Sequence, residues 1–220
     1  DFHSELADRS YRVQTSGPVT AYQFQPLCCN TSYTNDASIL MPVGSQGRSF
    51  FAVSHPYNNR PSYVSVVASE FPAEVTLDIG NRSIQAIPGH PAENGLINAH
   101  LEPYQVLTVL SASGSPIATD LTGVAIQATT EVSVFGGHIC TNIPHGANAC
   151  DHLETAVLPV ETWRNQYVGA HTHHRSQQPT EVNYYRVIAA RSGTTFTTEP
   201  ALGGLATHGA IASGLPNCRA

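Results

Sequence analysis

Short apolar runs recur along the chain, each about four to eight residues long and each closed by Gly, Pro, Asn or Asp. Gly47-Arg48-Ser49-Phe50-Phe51-Ala52-Val53 and Tyr63-Val64-Ser65-Val66-Val67-Ala68-Ser69 are rich in β-branched and aromatic residues and partly alternate with polar ones. That is the pattern of strands with one face turned to a core. Residues 104–111 and 121–128 read the same way, whereas 81–102, with its Gly, Pro, Asn and His, reads as loop. A helix can be argued only over 152–163, and Pro159 in its middle favours an extended conformation. The predicted class is all-β, because strands this short must pair into sheets whose apolar faces pack together, as in sandwiches.

The runs also repeat. Residues 12–24 align with 125–137 at an offset of 113, so that Val13 meets Ile126, Gln14 meets Gln127 and Val19 meets Val132. Further on, 36–43 resembles 151–160, 47–53 resembles 164–168, 63–69 matches 184–190, and Val75-Thr76 matches Thr195-Phe196. By Tyr63 and Tyr184 the offset is 121, as small loop insertions would produce. The expected architecture is two tandem β-sandwich-like units related by internal duplication. The first β-rich repeat, with its connecting loop and strand, takes 1–112; the second takes 113–220 and is truncated at its C-terminal end. The second copy runs into Ala201-Leu202-Gly203-Gly204 with no counterpart of the 104–111 strand. This predicts an unpaired strand edge through which the chain could self-associate.

Composition narrows the function. Charged residues are 12% of the 220, all ten basic ones are arginine, and the net charge is -6. No basic patch is available for nucleic acid, and no apolar run approaches the roughly 18 residues that membrane insertion needs. Asp1 follows neither a basic nor an apolar leader, as expected at a processing boundary. Of five cysteines, Cys140 and Cys150 flank a loop holding Asn142, Pro144, Gly146 and Asn148, which predicts a disulfide between them. Adjacent Cys28 and Cys29 are too close to bond to each other readily, leaving one of them to pair with Cys218 and one thiol over. A disulfide and a polar, uncharged surface suit a secreted or cell-surface protein.

Candidate chemistry is sparse. His138, Cys140, Cys150 and His152 are the residue types of a tetrahedral zinc site, but His-X-Cys and Cys-X-His are not the usual spacings, and a bridge would consume both thiolates. The expectation is that the bridge clips the loop while His138 and His152 bond backbone at strand ends, with Asp151 and Glu154 accepting loop hydrogen bonds. His171 and His173, with His174 beside them, would face one side of an extended segment and form the other candidate metal or pH-sensitive group. No serine elbow, paired catalytic carboxylate or phosphate-cradling loop is found, so no enzyme, cofactor or metal is expected. Asn30-Thr31-Ser32 and Asn81-Arg82-Ser83 fit the glycosylation pattern without implying a role.

Several blocks carry a resemblance. Residues 17–26, then Asp36-Ala37-Ser38-Ile39-Leu40-Met41-Pro42, then Asp120-Leu121-Thr122-Gly123 form one series. Val134-Phe135-Gly136-Gly137-His138-Ile139-Cys140, Cys150-Asp151-His152-Leu153-Glu154 and Pro159-Val160-Glu161-Thr162-Trp163 form a denser one. Together they cover most of 11–199 and resemble the N-terminal domain of the IgG Fc-binding protein family of mucus and its bacterial relatives. The resemblance implies an extracellular, non-catalytic binding domain, joined to other modules and continuing past residue 220. The function expected is therefore an extracellular binding or adhesion module for a protein or glycan partner. The alternative is a structural subunit of an extracellular filament or surface layer assembled through β-edge contacts.

Overall fold

The computed structural model describes residues 3–25, 34–56, 59–143, 149–170 and 184–199. Its strands are β1 (Glu5–Ala7), β2 (Tyr22–Gln25), β3 (Asp36–Ile39), β4 (Gly47–Phe51), β5 (Ser62–Ala68), β6 (Ala73–Asp78), β7 (Leu96–Leu101), β8 (Val106–Leu110), β9 (Ala125–Thr141) and β10 (Asp151–Val157). All except β2 and β3 join one antiparallel sheet, in the order β1-β8-β5-β9-β6-β7, with β4 and β10 also on β9.

Alternation decides which way each strand faces. In β5, Ser62, Val64, Val66 and Ala68 are buried and the residues between them are partly exposed. In β9, Ile126, Val132, Val134, Gly136 and His138 share the buried face, as the two-residue period of a strand requires.

Register shows how one sheet encloses a core. β5 pairs with 138 down to 132 of β9, and β6 continues down the same strand from Ala128 to Ala125. β7 then β8 run back along β6 then β5 in the same fashion. The interruptions in these ribbons, at 69–72, 102–105 and 129–131, lie side by side and form a corner. Thr130 Oγ1 donates to Pro72 O at 2.9 Å, Glu74 N donates to Thr129 Oγ1 at 3.0 Å, and Tyr104 N donates to Ala68 O at 3.2 Å. Tyr104 takes the left-handed conformation, φ 68°, to make the turn, at a cost of about 1 kcal/mol. Folding at such corners is how strands pass between packed layers. Val64, Val66, Leu107 and Val109 from one side therefore meet Val75, Leu77, Ile97 and Ile126 from the other in a single core, and the sheet nearly closes.

The other flank of β9 is shared end to end by β4, with Gly47 opposite Val132, and β10, with Val157 opposite Val134. Among the described residues β10 has no backbone partner on its far side. Instead its N–H groups at His152, Glu154 and Ala156 donate to Thr34 Oγ1, Asp36 Oδ2 and Ser38 Oγ, each at 2.7 Å. The β2–β3 hairpin thus covers an exposed edge with side chains, a known way of blocking edge-to-edge pairing.

The all-β class is observed, but the two tandem units are not. Residues 12–21 lie outside any strand while their counterparts 125–134 are inside β9, and 63–68 is β5 while 184–189 has no strand. One sheet instead takes strands from both halves of the chain. Similar apolar spacing does not supply hydrogen-bond partners: β9 has them on both flanks, whereas residues 184–187 are exposed. β7 corrects a second expectation, that 81–102 is wholly loop. Ile97, Ala99 and Leu101 point into the core, and Leu96, Asn98 and His100 point out.

Close backbone packing fixes the far end of β9. A Cβ on Gly136 would lie 2.1 Å from the Val53 carbonyl oxygen, and the main chain cannot yield there as a flexible side chain could. Gly136→Ala should lower the unfolding free energy by about 2 kcal/mol or more, read from urea denaturation followed by circular dichroism.

Candidate binding site

The C-terminal half of β9, β10 and the covering hairpin bring together most of the residues singled out in the sequence. Cys140 and Cys150 form a disulfide, with Cα atoms 5.2 Å apart and ten residues of separation. The bridge ties the end of β9 to the start of β10, so the registers of the two strands are fixed from one end.

His138 and His152 lie on opposite faces of this ribbon. His138 follows Val132 and Val134 on the inward face and is fully buried. Its Nδ1 accepts the Cys140 N–H at 3.1 Å, and its ring meets that of His55 edge to face at 6.3 Å. His55 Nδ1 in turn lies 3.1 Å from Thr141 Oγ1. Because Nδ1 is an acceptor, the neutral ring carries its proton on Nε2, which has no partner at hydrogen-bonding geometry among the described residues. Burial, then the neighbouring His55, push the His138 pKa down to about 4, and the Pro56 carbonyl opposes this only in part.

The outward face is different. Tyr63, Gly137 and Glu154 stand in one row across β5, β9 and β10. Gly137 is needed here because a Cβ would come within 1.8 Å of Leu153 O and 2.8 Å of the Tyr63 hydroxyl. Across that gap the Tyr63 hydroxyl donates to Leu153 O at 3.2 Å, and the Tyr63 ring stacks on His152 at 6.0 Å. His152 Nδ1 lies 3.2 Å from Ile139 O, and Nε2 faces Glu154 Oε2 at 3.7 Å, with the two side chains only 10% and 8% exposed. Gln23 Nε2 donates to the other Glu154 oxygen. Burial pulls the His152 pKa down, but Glu154, the Ile139 carbonyl and Asp36 outweigh it and the net shift is upward. Burial first, then the charges of Glu154 and Asp36, raise the Tyr63 pKa above its ordinary value.

These contacts use the polar side of β2–β3, leaving its apolar side in solvent. Tyr22 pairs with Ile39 and Phe24 with Ala37; Tyr22, Phe24 and Ile39 are 56%, 71% and 43% exposed. A hairpin ordinarily turns its apolar face inward. Here the β10 edge needs oxygen acceptors, so Thr34, Asp36 and Ser38 take the inward positions. The result is a small aromatic and aliphatic surface, held from beneath by hydrogen bonds.

Both Cys140 and Cys150 thiols are oxidised, and among the described residues no group of three or more His, Cys, Asp or Glu is arranged to hold a metal ion. His171, His173, His174, Cys28, Cys29 and Cys218 lie outside the described residues. Sequence reasoning missed Tyr22, Phe24 and Ile39 as a surface. Their alternation with Gln23 and Ser38 was visible, but not which side faced the protein.

Residues 36–214 match the family described as IgGFc binding protein. The chain is also 26% identical over 137 residues to a human protein named IgGFc-binding protein. That alignment covers 61% of this chain and 2% of the human one. No solved structure matches the chain.

The buried histidines and the disulfide each lead to a prediction. His138 is neutral in the folded chain down to about pH 4 but takes a proton near its ordinary 6.5 when unfolded. Its contribution to stability is thus complete above about 6.5 and is lost as pH falls from there toward 4. His152, shifted upward, acts in the opposite sense, losing its contribution as pH rises through its folded value. The urea midpoint of His138→Gln should therefore fall less between pH 7 and pH 4.5 than that of the unaltered chain. Separately, replacing Cys140 and Cys150 together by Ser should cost about 2–3 kcal/mol of stability, measured by urea denaturation under non-reducing conditions.

Proposed function

This chain belongs to the IgGFc binding protein family, and from that membership we propose that it is an extracellular, non-catalytic module that recognises a protein partner. The outward apolar face of β2–β3 is the observation that carries this reading. Tyr22 and Phe24 supply contact area with little side-chain freedom to lose, the property that makes aromatic residues frequent anchors at interfaces. The polar ladder beneath holds them in place before a partner arrives, which limits the ordering cost of association. Adhesion follows if the partner is itself fixed to a matrix or cell surface. A glycan is the other ligand class that such an aromatic face suits, through stacking on sugar rings.

The covered edge of β10 favours a recognition module over a filament subunit, because strand exchange at that edge would first have to displace three side-chain hydrogen bonds.

The name of the human relative makes the Fc portion of IgG the first partner to test. Surface plasmon resonance against immobilised Fc and against mucus glycoprotein should show saturable binding. Phe24→Ser and Tyr22→Ser should each weaken it by about tenfold or more, with thermal melts unchanged. Saturable binding that ignores both substitutions would move the interface elsewhere, and no saturable binding to either ligand would count against the module reading.

A further inference from the structure

A second site lies at Asp120-Leu121-Thr122-Gly123, on the approach to β9. Thr122 N donates to Asp120 Oδ1 at 2.9 Å, closing a side-chain turn. Thr122 Oγ1 lies 2.6 Å from the same carboxylate oxygen and accepts the Ser54 N–H at 3.0 Å. Arg82 braces the turn from behind, donating from Nε to Asp120 O and from Nη2 to Thr122 O, both at 2.9 Å. Ser54 and Thr122 are buried.

The turn uses Asp120 Oδ1 and leaves Oδ2 facing outward beside the Ser54 carbonyl and the Thr122 hydroxyl. A carboxylate, a carbonyl and a hydroxyl converging on one point form an acceptor set suited to a cationic donor. A donor occupies it: Arg186 Nη1 bonds the Ser54 carbonyl, lies 2.6 Å from Thr122 Oγ1 and 3.3 Å from Asp120 Oδ2.

Arg186 comes from residues 184–199, which contain no strand; Tyr184, Tyr185 and Val187 beside it are exposed. The receptacle is braced by bonds that do not involve Arg186, whereas the segment that fills it buries little apolar surface. Such a segment lies at the low-stability end of a fold and opens at small cost. Arg186 is itself 32% exposed and Asp120 only 18%, so the pair sits at the rim, where an incoming chain can reach it.

We infer that Ser54, Asp120 and Thr122 form a binding site for an arginine on an extended polypeptide segment, filled in the free chain by Arg186 and opened when residues 184–199 swing away. A partner protein's arginine then takes the place of Arg186. The test does not depend on what the β2–β3 face binds.

The test uses a labelled synthetic peptide of residues 184–199 and the chain carrying Arg186→Ala, with fluorescence anisotropy as the readout. The variant should melt within a few degrees of the unaltered chain and bind the peptide saturably, at least about tenfold more tightly than the unaltered chain does. A peptide carrying Arg186→Ala should lose about tenfold or more in affinity. Equal binding of the arginine and alanine peptides, or none by the variant, overturns the site. An Arg186→Ala chain that does not fold also overturns it, since residues 184–199 would then be part of the core. In the unaltered chain, hydrogen exchange at 184–199 should be fast while β5 and β9 stay protected; equal protection of all three would overturn the displaceable segment.

Discussion

Backbone polar groups that leave water must find partners within the protein, and β9 makes that demand over seventeen consecutive residues. The arrangement of the sheet follows from meeting it on both flanks. One flank is covered by β5 and β6, the other by β4 and β10, and each pair meets where β9 changes neighbours. Because β5–β6 and β7–β8 break where β9 changes partners, the sheet can fold at a common corner. Its apolar faces then close on one another without a second sheet being supplied. The glycines at 136 and 137 complete the arrangement by letting the Val53 backbone and the Tyr63 hydroxyl approach β9 from opposite sides.

Local alternation made much of this legible. Val64, Val66 and Ala68 announce the buried face of β5, and the extended pattern over 104–111 contains β8. The Cys140–Cys150 bridge was readable because the turn residues between the cysteines leave few other ways to dispose of the loop. Pairing was less legible than periodicity. Residues 12–24 and 125–137 share apolar spacing, yet one is mostly free of strand and the other is the centre of the sheet. Asn98 and His100 made β7 look like loop, although they are only its outward positions. The site suffered from the same gap. His138 and His152 are close in sequence to one disulfide, but their positions on β9 and β10 send them to opposite faces.

Family membership and geometry contribute different kinds of information. Membership gives the chain its family, while the geometry shows how a small two-stranded hairpin can afford an apolar exterior. Its inward side is committed to β10 through hydroxyl and carboxylate groups, and a paired histidine and glutamate lie beneath. The exposed aromatic residues are thus an outcome of local hydrogen-bond demand, and they stand on a hydrogen-bonded base.

That base has an evolutionary side. The barrier between a solitary domain and a growing β-stack is held at one edge by the side chains of three positions, Thr34, Asp36 and Ser38, and not by the architecture of the sheet. Descendants of this chain could therefore gain or lose polymeric behaviour by changing a few small polar residues, while the core and its corner remained as they are.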